Sequence, residues 1–125
     1  NFDLIISWYT LYYLSNTDLR KCLNILYKNL KPGGYFAASM SGTQTLNFAI
    51  TREAGDGLYE MPIIERLKDL HGQSHFINFT NGEEDLLEKF NIFKVCHVGY
   101  LDESYSMTEG DKNNIFSYIF VGIKE

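Results

Sequence analysis

The residues best placed for chemistry are hydroxyl and aromatic side chains at the ends of two apolar runs. Ser7–Thr10 (SWYT) end the run that starts at Phe2, and Ser39–Gly42 (SMSG) end the run that starts at Tyr35. In an open α/β sheet, parallel strands place their carboxyl ends at the edge where such sheets bind ligands. Hydroxyl and indole groups at that edge can hydrogen-bond to a small molecule and stack on it. The sequence therefore predicts a ligand site formed by these two strand ends.

A strand, a helix and a second strand must position these residues. Phe2–Ser7 is apolar on both faces apart from Asp3, which is typical of a strand in a sheet covered on both sides. Ser15–Asp18 (SNTD) predicts a helix start, and Pro32–Gly34 predicts the stop. Tyr35–Ser41 then forms the second strand, which gives a right-handed crossover unit. The helix places four leucines on one face: Leu19, Leu23, Leu26 and Leu30.

The pattern weakens over residues 42–78. Thr45–Glu53 and Pro62–Leu70 favour helices, with Gly55–Gly57 separating them. The chain contains no internal repeat or domain linker, so residues 1–125 are predicted to form a single domain.

Regular patterning returns at Thr80. Thr80–Glu83 (TNGE) has capping-box spacing and predicts a short helix, followed by strands over Ile92–Leu101 and Ile115–Ile123. Asp102–Asn114 is polar and predicted to be a loop. The short helix is expected to bury Leu86, Leu87 and Phe90, and His97 is expected to pack within its strand.

Composition excludes several function classes. With 45% hydrophobic and 15% aromatic residues in 125, the chain is a globular protein, and no apolar run is long enough to span a membrane. A net charge of −5 without a basic block argues against a nucleic-acid partner. Cys22 and Cys96 lack metal-site spacing and are expected to be buried thiols, so no metal site is predicted and a cytoplasmic location is expected.

Three stretches resemble the class I S-adenosylmethionine (SAM)-dependent methyltransferases. "FDLIISWYTLYYL" resembles the family's fourth strand, F-D-x-[IV], and the V-L-H-H-L-like run after it. "LRKCLNILYKNLKPGGYFAAS" resembles the next helix, the L-K-P-G-G turn and the fifth strand. "FTNGEEDLLEKFNIFKV" and "FSYIFVGIKE" resemble the closing helix and the sixth and seventh strands. The order and spacing of these stretches are more specific than any one of them.

The resemblance implies a partial Rossmann-like α/β sheet. The family's strand order is 3-2-1-4-5-7-6 with the seventh strand antiparallel, so this chain would supply strands 4, 5, 7 and 6 with flanking helices. It would correspond to the C-terminal half of the domain and would lack the first three strands and the glycine-rich turn. Gly55 and Gly57 do not replace that turn, because Glu60 stands where a third glycine is needed and no strand leads into them. We therefore expect the isolated chain to bind SAM weakly or not at all.

The resemblance also implies site residues. Ser7, Trp8 and Tyr9 would lie beside the methionine end of SAM, the implied cofactor. Tyr12 and Tyr13 replace the family's histidines and are the candidates for a catalytic role, which otherwise stays unassigned. Partial burial against the helix is the structural alternative for Trp8 and Tyr12.

Residues 42–78 occupy the place where the family inserts elements that contact the methyl acceptor. Arg52, Glu53, His71 and His75 are therefore candidates for binding a small-molecule acceptor, and the alternative for each is a solvated surface residue.

Two functions follow. The first is methyl transfer from SAM by a parent enzyme to an unidentified small molecule, with the isolated chain inactive. The second is a truncated, non-catalytic module that self-associates through the exposed edge of Asp3–Ser7 and forms a homodimer. A dehydrogenase-like doubly wound fold is a third possibility, which an antiparallel last strand would argue against.

Overall fold

The computed structural model describes residues 1–62, 75–106 and 112–125. Within these ranges two short 3-10 turns, Leu11–Tyr13 and Leu46–Ile50, accompany the regular elements. In chain order the helices and strands are β1 (Phe2–Ser7), α1 (Asn16–Asn29), β2 (Leu30–Ser41), β3 (Arg52–Gly55), β4 (Leu58–Met61), β5 (His75–Asn78), α2 (Gly82–Lys89), β6 (Lys94–Ser106) and β7 (Lys112–Ile123).

The main sheet has four strands in the order β1-β2-β7-β6. Strands β1 and β2 are parallel, with Ile5 opposite Phe36 and Ser7 opposite Ala38. Strand β7 is antiparallel to both of its neighbours, β2 and β6. The predicted α/β fold class, its strand order and its antiparallel last strand are confirmed.

Helix α1 begins as predicted. The Ser15 hydroxyl accepts a hydrogen bond from the Asp18 backbone N–H at 3.1 Å, which satisfies one of the free donors of the first turn. Strand β2 starts at Leu30 rather than at Tyr35, because the Pro-Gly-Gly segment continues alongside the end of β7. There the Gly33 N–H donates to the Lys124 carbonyl at 2.7 Å, and the Lys124 N–H donates to the Gly34 carbonyl at 3.0 Å.

The core lies on one face of the main sheet, which we call the covered face. Phe36 and Phe120, from adjacent strands, are almost completely buried there. Phe36 stacks on Phe93 with centroids 4.6 Å apart, and Phe120 stacks on Phe90 at 4.8 Å. Both α-helices of the described residues add leucines to this core: Leu19 and Leu23 from α1, and Leu86 from α2. Neither helix is long and apolar enough to span a membrane.

The opposite face, which we call the open face, corrects one expectation. The apolar strand β1 predicted cover on both sides, yet Leu4 is 53% exposed and Ile6 63% exposed. Tyr35, opposite Leu4 on β2, is also exposed. Both described α-helices pack on the covered face, so no helix among the described residues covers these side chains.

A second sheet, in the order β3-β4-β5, was not predicted. The helix expected over Thr45–Glu53 is only the 3-10 turn Leu46–Ile50, followed by strand β3. Gly55–Gly57 is a hairpin turn rather than a break between helices, with positive φ at Asp56 and Gly57. The helix predicted over Pro62–Leu70 lies almost entirely outside the described residues.

The hairpin turn is fixed against the first turn of α1. The Asn16 N–H donates to the Asp56 carbonyl at 2.8 Å, and the Thr17 N–H donates to Asp56 Oδ2 at 3.2 Å. Hydrogen bonds from the side chain and the backbone N–H of Thr17 hold the pKa of the Asp56 carboxyl below its usual value. Asp56 thus caps α1 from a distant part of the sequence.

Further differences from prediction concern helix α2, strands β6 and β7, and the two cysteines. Asn81 is the N-cap of α2 without a side-chain capping bond, and Leu87 is exposed because it lies on the outer face of the helix. Strands β6 and β7 extend into the segment predicted as a loop, where Asp102 pairs with Phe116. Pairing with β7 is irregular between Val95 and His97, and His97 is exposed rather than packed as predicted. Cys96 is exposed and Cys22 half-buried, so the prediction of two buried thiols is wrong.

Candidate cofactor site

The turn after β1 lies at the carboxyl end of the main sheet and is fixed by a buried serine of β2. The Tyr9 N–H donates to Ser39 Oγ at 2.8 Å, and the Thr10 hydroxyl donates to the Trp8 carbonyl at 2.9 Å. Tyr9 has φ of +55°, a left-handed conformation that few residues other than glycine adopt. The bond to Ser39 stabilises this conformation, so the two predicted strand ends do meet.

The Tyr9 side chain links this turn to the far edge of the sheet. Its hydroxyl donates to Glu103 Oε1 at 2.6 Å, and Glu103 lies on β6. The hydrogen bond to Glu103 and, as the second largest cause, burial raise the pKa of the Tyr9 phenol above its usual value. Glu103 is a residue that sequence reasoning missed, because it fell in a segment predicted as a loop.

Ser7, Trp8 and Tyr9, the residues predicted to bind the cofactor, follow one another at the end of β1. Ser7 is half-buried in the β1–β2 ladder, and the rings of Trp8 and Tyr9 lie 5.2 Å apart at 46°. Trp8 is exposed, so a face of its indole ring is available to stack on a ligand. Aromatic surface thus lies beside hydroxyl groups at this end of the sheet.

Tyr12 and Tyr13 lie in the 3-10 turn that follows. Their rings are 4.5 Å apart, Tyr13 is exposed, and Tyr12 is half-buried against the core. Burial and the neighbouring Tyr13 raise the pKa of Tyr12 above its usual range. A general base works best with a pKa near the operating pH, so this shift disfavours Tyr12 as a base. The packing alternative fits Tyr12 better.

The residues predicted to bind the acceptor do not form one group. Arg52 is opposite Glu60 in the second sheet, and its Nε donates to Glu60 Oε1 at 2.9 Å. His75 is opposite Met61, one row further along, so it points to the other face of that sheet from Arg52. Glu53 is exposed on β3, and His71 lies outside the described residues. In the described ranges, no three His, Cys, Asp or Glu residues come together as a metal site.

Comparisons with known proteins bear on the fold. No protein-family model matches the sequence, and no curated protein sequence matches it significantly. The structure is similar to a SAM-dependent methyltransferase from Methanosarcina mazei, with a TM-score of 0.62 and 17% identity over 99% of this chain and 60% of that one. It is similar to TehB from Haemophilus influenzae, with a TM-score of 0.58 and 12% identity over 100% of this chain and 36% of that one.

A third similar structure concerns the conversion of a disulfide bond into a thioacetal group during echinomycin biosynthesis. Its TM-score is 0.61 and its identity 10%, over 100% of this chain and 50% of that one. The chain thus spans between about a third and about three-fifths of the length of these proteins. Together with the strand order, these likenesses assign the chain the fold of the class I SAM-dependent methyltransferases.

Proposed function

We propose that this chain forms one wall of the cofactor site of a SAM-dependent methyltransferase that acts on a small molecule. The observation that carries the proposal is the group of Ser7, Trp8 and Tyr9 at the carboxyl end of β1, at the edge of a methyltransferase-like sheet. The net charge of −5 supports a small-molecule acceptor over a nucleic acid. The two free cysteines, Cys22 and Cys96, support a cytoplasmic location.

The winding of the sheet supports this position for the ligand. The β1–α1–β2 crossover has its helix on the covered face. Because crossovers between parallel strands are right-handed, strands that continue outward from β1 would carry their helices on the opposite, open face. The winding direction would then reverse at β1, and ligands of open α/β sheets bind at such a reversal. The exposed apolar side chains of Leu4, Ile6 and Tyr35 are the surface that such helices would cover.

The residues present fit part of the cofactor. The exposed indole ring of Trp8 offers a stacking surface for a planar part of the cofactor, and the hydroxyl groups near Ser39 offer hydrogen bonds to the cofactor's polar atoms. When bound, SAM supplies an electrophilic methyl group. This chain would orient the ligand, and the bond from the Tyr9 N–H to Ser39 would keep the turn rigid while it does so. Residues 42–78, at the place where the family inserts acceptor-binding elements, would contact the acceptor.

The test is a titration of the isotope-labelled chain with SAM, followed in two-dimensional amide spectra. Without the contacts of a glycine-rich turn, the affinity for SAM should fall to roughly millimolar or worse. We expect saturable shifts confined to Ser7–Thr10 and Ser39–Gly42, weakened in Trp8→Ala. Tyr35→Ala is the matched control, because it removes an exposed ring at the amino end of the open face and should leave the shifts unchanged. Saturable shifts that cluster at other segments, or shifts at these two segments that Trp8→Ala leaves unchanged, would contradict the proposal.

The alternative is a non-catalytic module that forms a homodimer through β1. It is favoured by the outer edge of β1: within the described ranges this strand pairs only with β2, and Phe2, Leu4 and Ile6 are exposed on it. Sedimentation of the chain over a wide concentration range tests it. A dimer that Ile6→Lys dissociates, in a chain that does not respond to SAM, would favour the module over the enzyme.

A further inference from the structure

The hairpin of strands β6 and β7 extends beyond the carboxyl ends of β1 and β2. Ser41, the last residue of β2, pairs with Ser117 of β7, which pairs on its other side with Leu101 of β6. Beyond this row the pairing of β6 with β7 continues as far as Ser106. Glu103 lies two residues beyond Leu101 and therefore on the same face of the sheet, the open face. The extension thus carries a carboxylate past the strand ends that form the candidate cofactor site.

Tyr9 brings an aromatic ring to this carboxylate. Its phenol donates to Glu103 Oε1 at 2.6 Å. Its ring is half-buried, and the ring centroid lies 5.2 Å from that of the exposed Trp8. Tyr9 therefore contacts both the ring that we assign to the cofactor and the carboxylate of Glu103. Because a methyl donor and its acceptor must be held next to each other, Tyr9 and Glu103 lie where an acceptor is needed.

The negative charge of Glu103 is not neutralised by any residue of the described ranges. Glu103 is exposed, and the ion pairs of these ranges involve three other carboxylates: Asp3, Glu60 and Asp85. The hydrogen bond to Glu103 raises the pKa of the Tyr9 phenol, so the phenol keeps its proton at neutral pH. The charge therefore stays on the carboxylate, where a ligand can reach it.

An aromatic ring beside an unpaired carboxylate favours an organic cation. A cation is attracted to the face of a tyrosine ring and to the carboxylate, whereas the carboxylate repels an anion. We propose that Tyr9 and Glu103 bind the positively charged amino group of the methyl acceptor, so that the acceptor is a small amine. The role of this amine as acceptor rests on the proposed function, whereas its binding to Tyr9 and Glu103 does not.

The test compares benzylamine, which is positively charged at neutral pH, with benzyl alcohol, a neutral molecule of nearly the same shape. Both are titrated at low salt into the isotope-labelled chain. We expect benzylamine to shift the amides of Tyr9 and Glu103 saturably, with an affinity about tenfold higher than that of benzyl alcohol, from one exposed ion pair and one cation–π contact. Equal affinities, or no saturable shift at these two amides, would overturn the proposal.

A matched pair of variants tests whether the charge of Glu103 itself is recognised. Glu103→Gln keeps the shape of the side chain and should lower the affinity for benzylamine about fivefold, with benzyl alcohol unaffected. Asp102→Asn changes the net charge equally and should alter neither affinity, because Asp102 lies on the opposite face and accepts a hydrogen bond from Asn114 Nδ2 at 2.9 Å. If both variants weaken benzylamine equally, the chain responds only to net charge and the proposal is wrong.

Two further measurements separate this site from the proposed cofactor site. Tyr9→Leu removes the ring face and should lower the preference for benzylamine about twofold, which tests the proposal even if Glu103→Gln does not fold. Glu103→Gln should leave the shifts induced by SAM unchanged, and an equal weakening of SAM and benzylamine would overturn the assignment to the acceptor. Binding of benzylamine that depends on Glu103, in a chain that does not respond to SAM, would support the amine site and count against the cofactor site.

Discussion

The two faces of the main sheet carry similar apolar side chains and have opposite surroundings. On β2, Phe36 is fully buried among the rings of the covered face, whereas its neighbour Tyr35 is 48% exposed on the open face. On β1, Ile5 packs against the core and Ile6 is exposed. The apolar pattern of the strands thus predicts that both faces of the sheet are buried, whereas the described residues cover only one face.

The open face is not uniform along its length. At the amino end its apolar side chains are exposed, whereas near the carboxyl end Ser39 and Ser117 are almost completely buried. Tyr9 accounts for part of this burial, since its backbone is bonded to Ser39. Large exposed apolar patches mark interaction sites, and Leu4, Ile6 and Tyr35 are the exposed apolar side chains at the amino end.

The largest expected effect on the free energy of unfolding comes from comparing adjacent residues on the two faces. Phe36→Ala should lower the free energy of unfolding by about 3–5 kcal/mol, because it leaves a cavity between Phe90 and Phe93. Tyr35→Ala is the matched control and should cost less than about 1 kcal/mol, because that side chain is already half in solvent. Urea unfolding followed by circular dichroism measures both, and similar losses would mean that the open face is covered.

The next effect concerns the buried end of the open face. Ser39→Ala removes the acceptor of the Tyr9 N–H and should lower the free energy of unfolding by about 1–2 kcal/mol. Ser41→Ala, the next residue on the same face, is the control and should cost less. If the two variants unfold at the same urea concentration, Ser39 does not stabilise the turn.

A smaller effect is expected from pH, because the hydrogen bond to Glu103 raises the pKa of Tyr9 in the folded chain. The unfolded chain then loses the tyrosine proton first as pH rises. The stabilisation is therefore fully present below pH 10.0, the ordinary tyrosine value, and is lost as the pH rises through the folded pKa. Urea midpoints across this range should fall more steeply for the unmodified chain than for Tyr9→Phe. Parallel curves would show that the phenol does not contribute.

The smallest effect is expected at the exposed end of the open face. Ile6→Lys should change the free energy of unfolding of the isolated chain by no more than about 0.5 kcal/mol. Ile25→Lys is the control, because Ile25 on α1 has nearly the same exposed fraction, 60% against 63%. A much larger loss for Ile6→Lys at high protein concentration than at low would reveal that another polypeptide covers this face.

The elements with repeated patterns were predictable. The leucine stripe of α1, its Ser15 cap and the apolar strands β1 and β7 follow from local periodicity and capping chemistry. The order of the four strands and the antiparallel β7 came from resemblance to a family. Local patterns alone do not encode which strands pair.

The second sheet shows what was missed and why. Asp56-Gly57 is a strong hairpin signal, but the short strands on either side include the polar pair Arg52 and Glu60, so periodicity did not reveal them. Strand β6 likewise continues through polar residues such as Asp102, because pairing with β7 satisfies its backbone whatever the side chains are. Leu87 fits the apolar pattern of α2 and yet lies outside, since that helix buries only a narrow stripe.

The candidate cofactor site was predictable only in part. The grouping of Ser7, Trp8 and Tyr9 follows from their position after an apolar strand. Glu103 was not predictable, because its contact with Tyr9 joins residues 94 positions apart.

Strand β7 lies between β2 and β6, although the ribosome makes it after both. The four-stranded sheet can therefore be completed only after β7 has been synthesised, and until then the edge of β2 that β7 covers is open to pairing with another nascent chain.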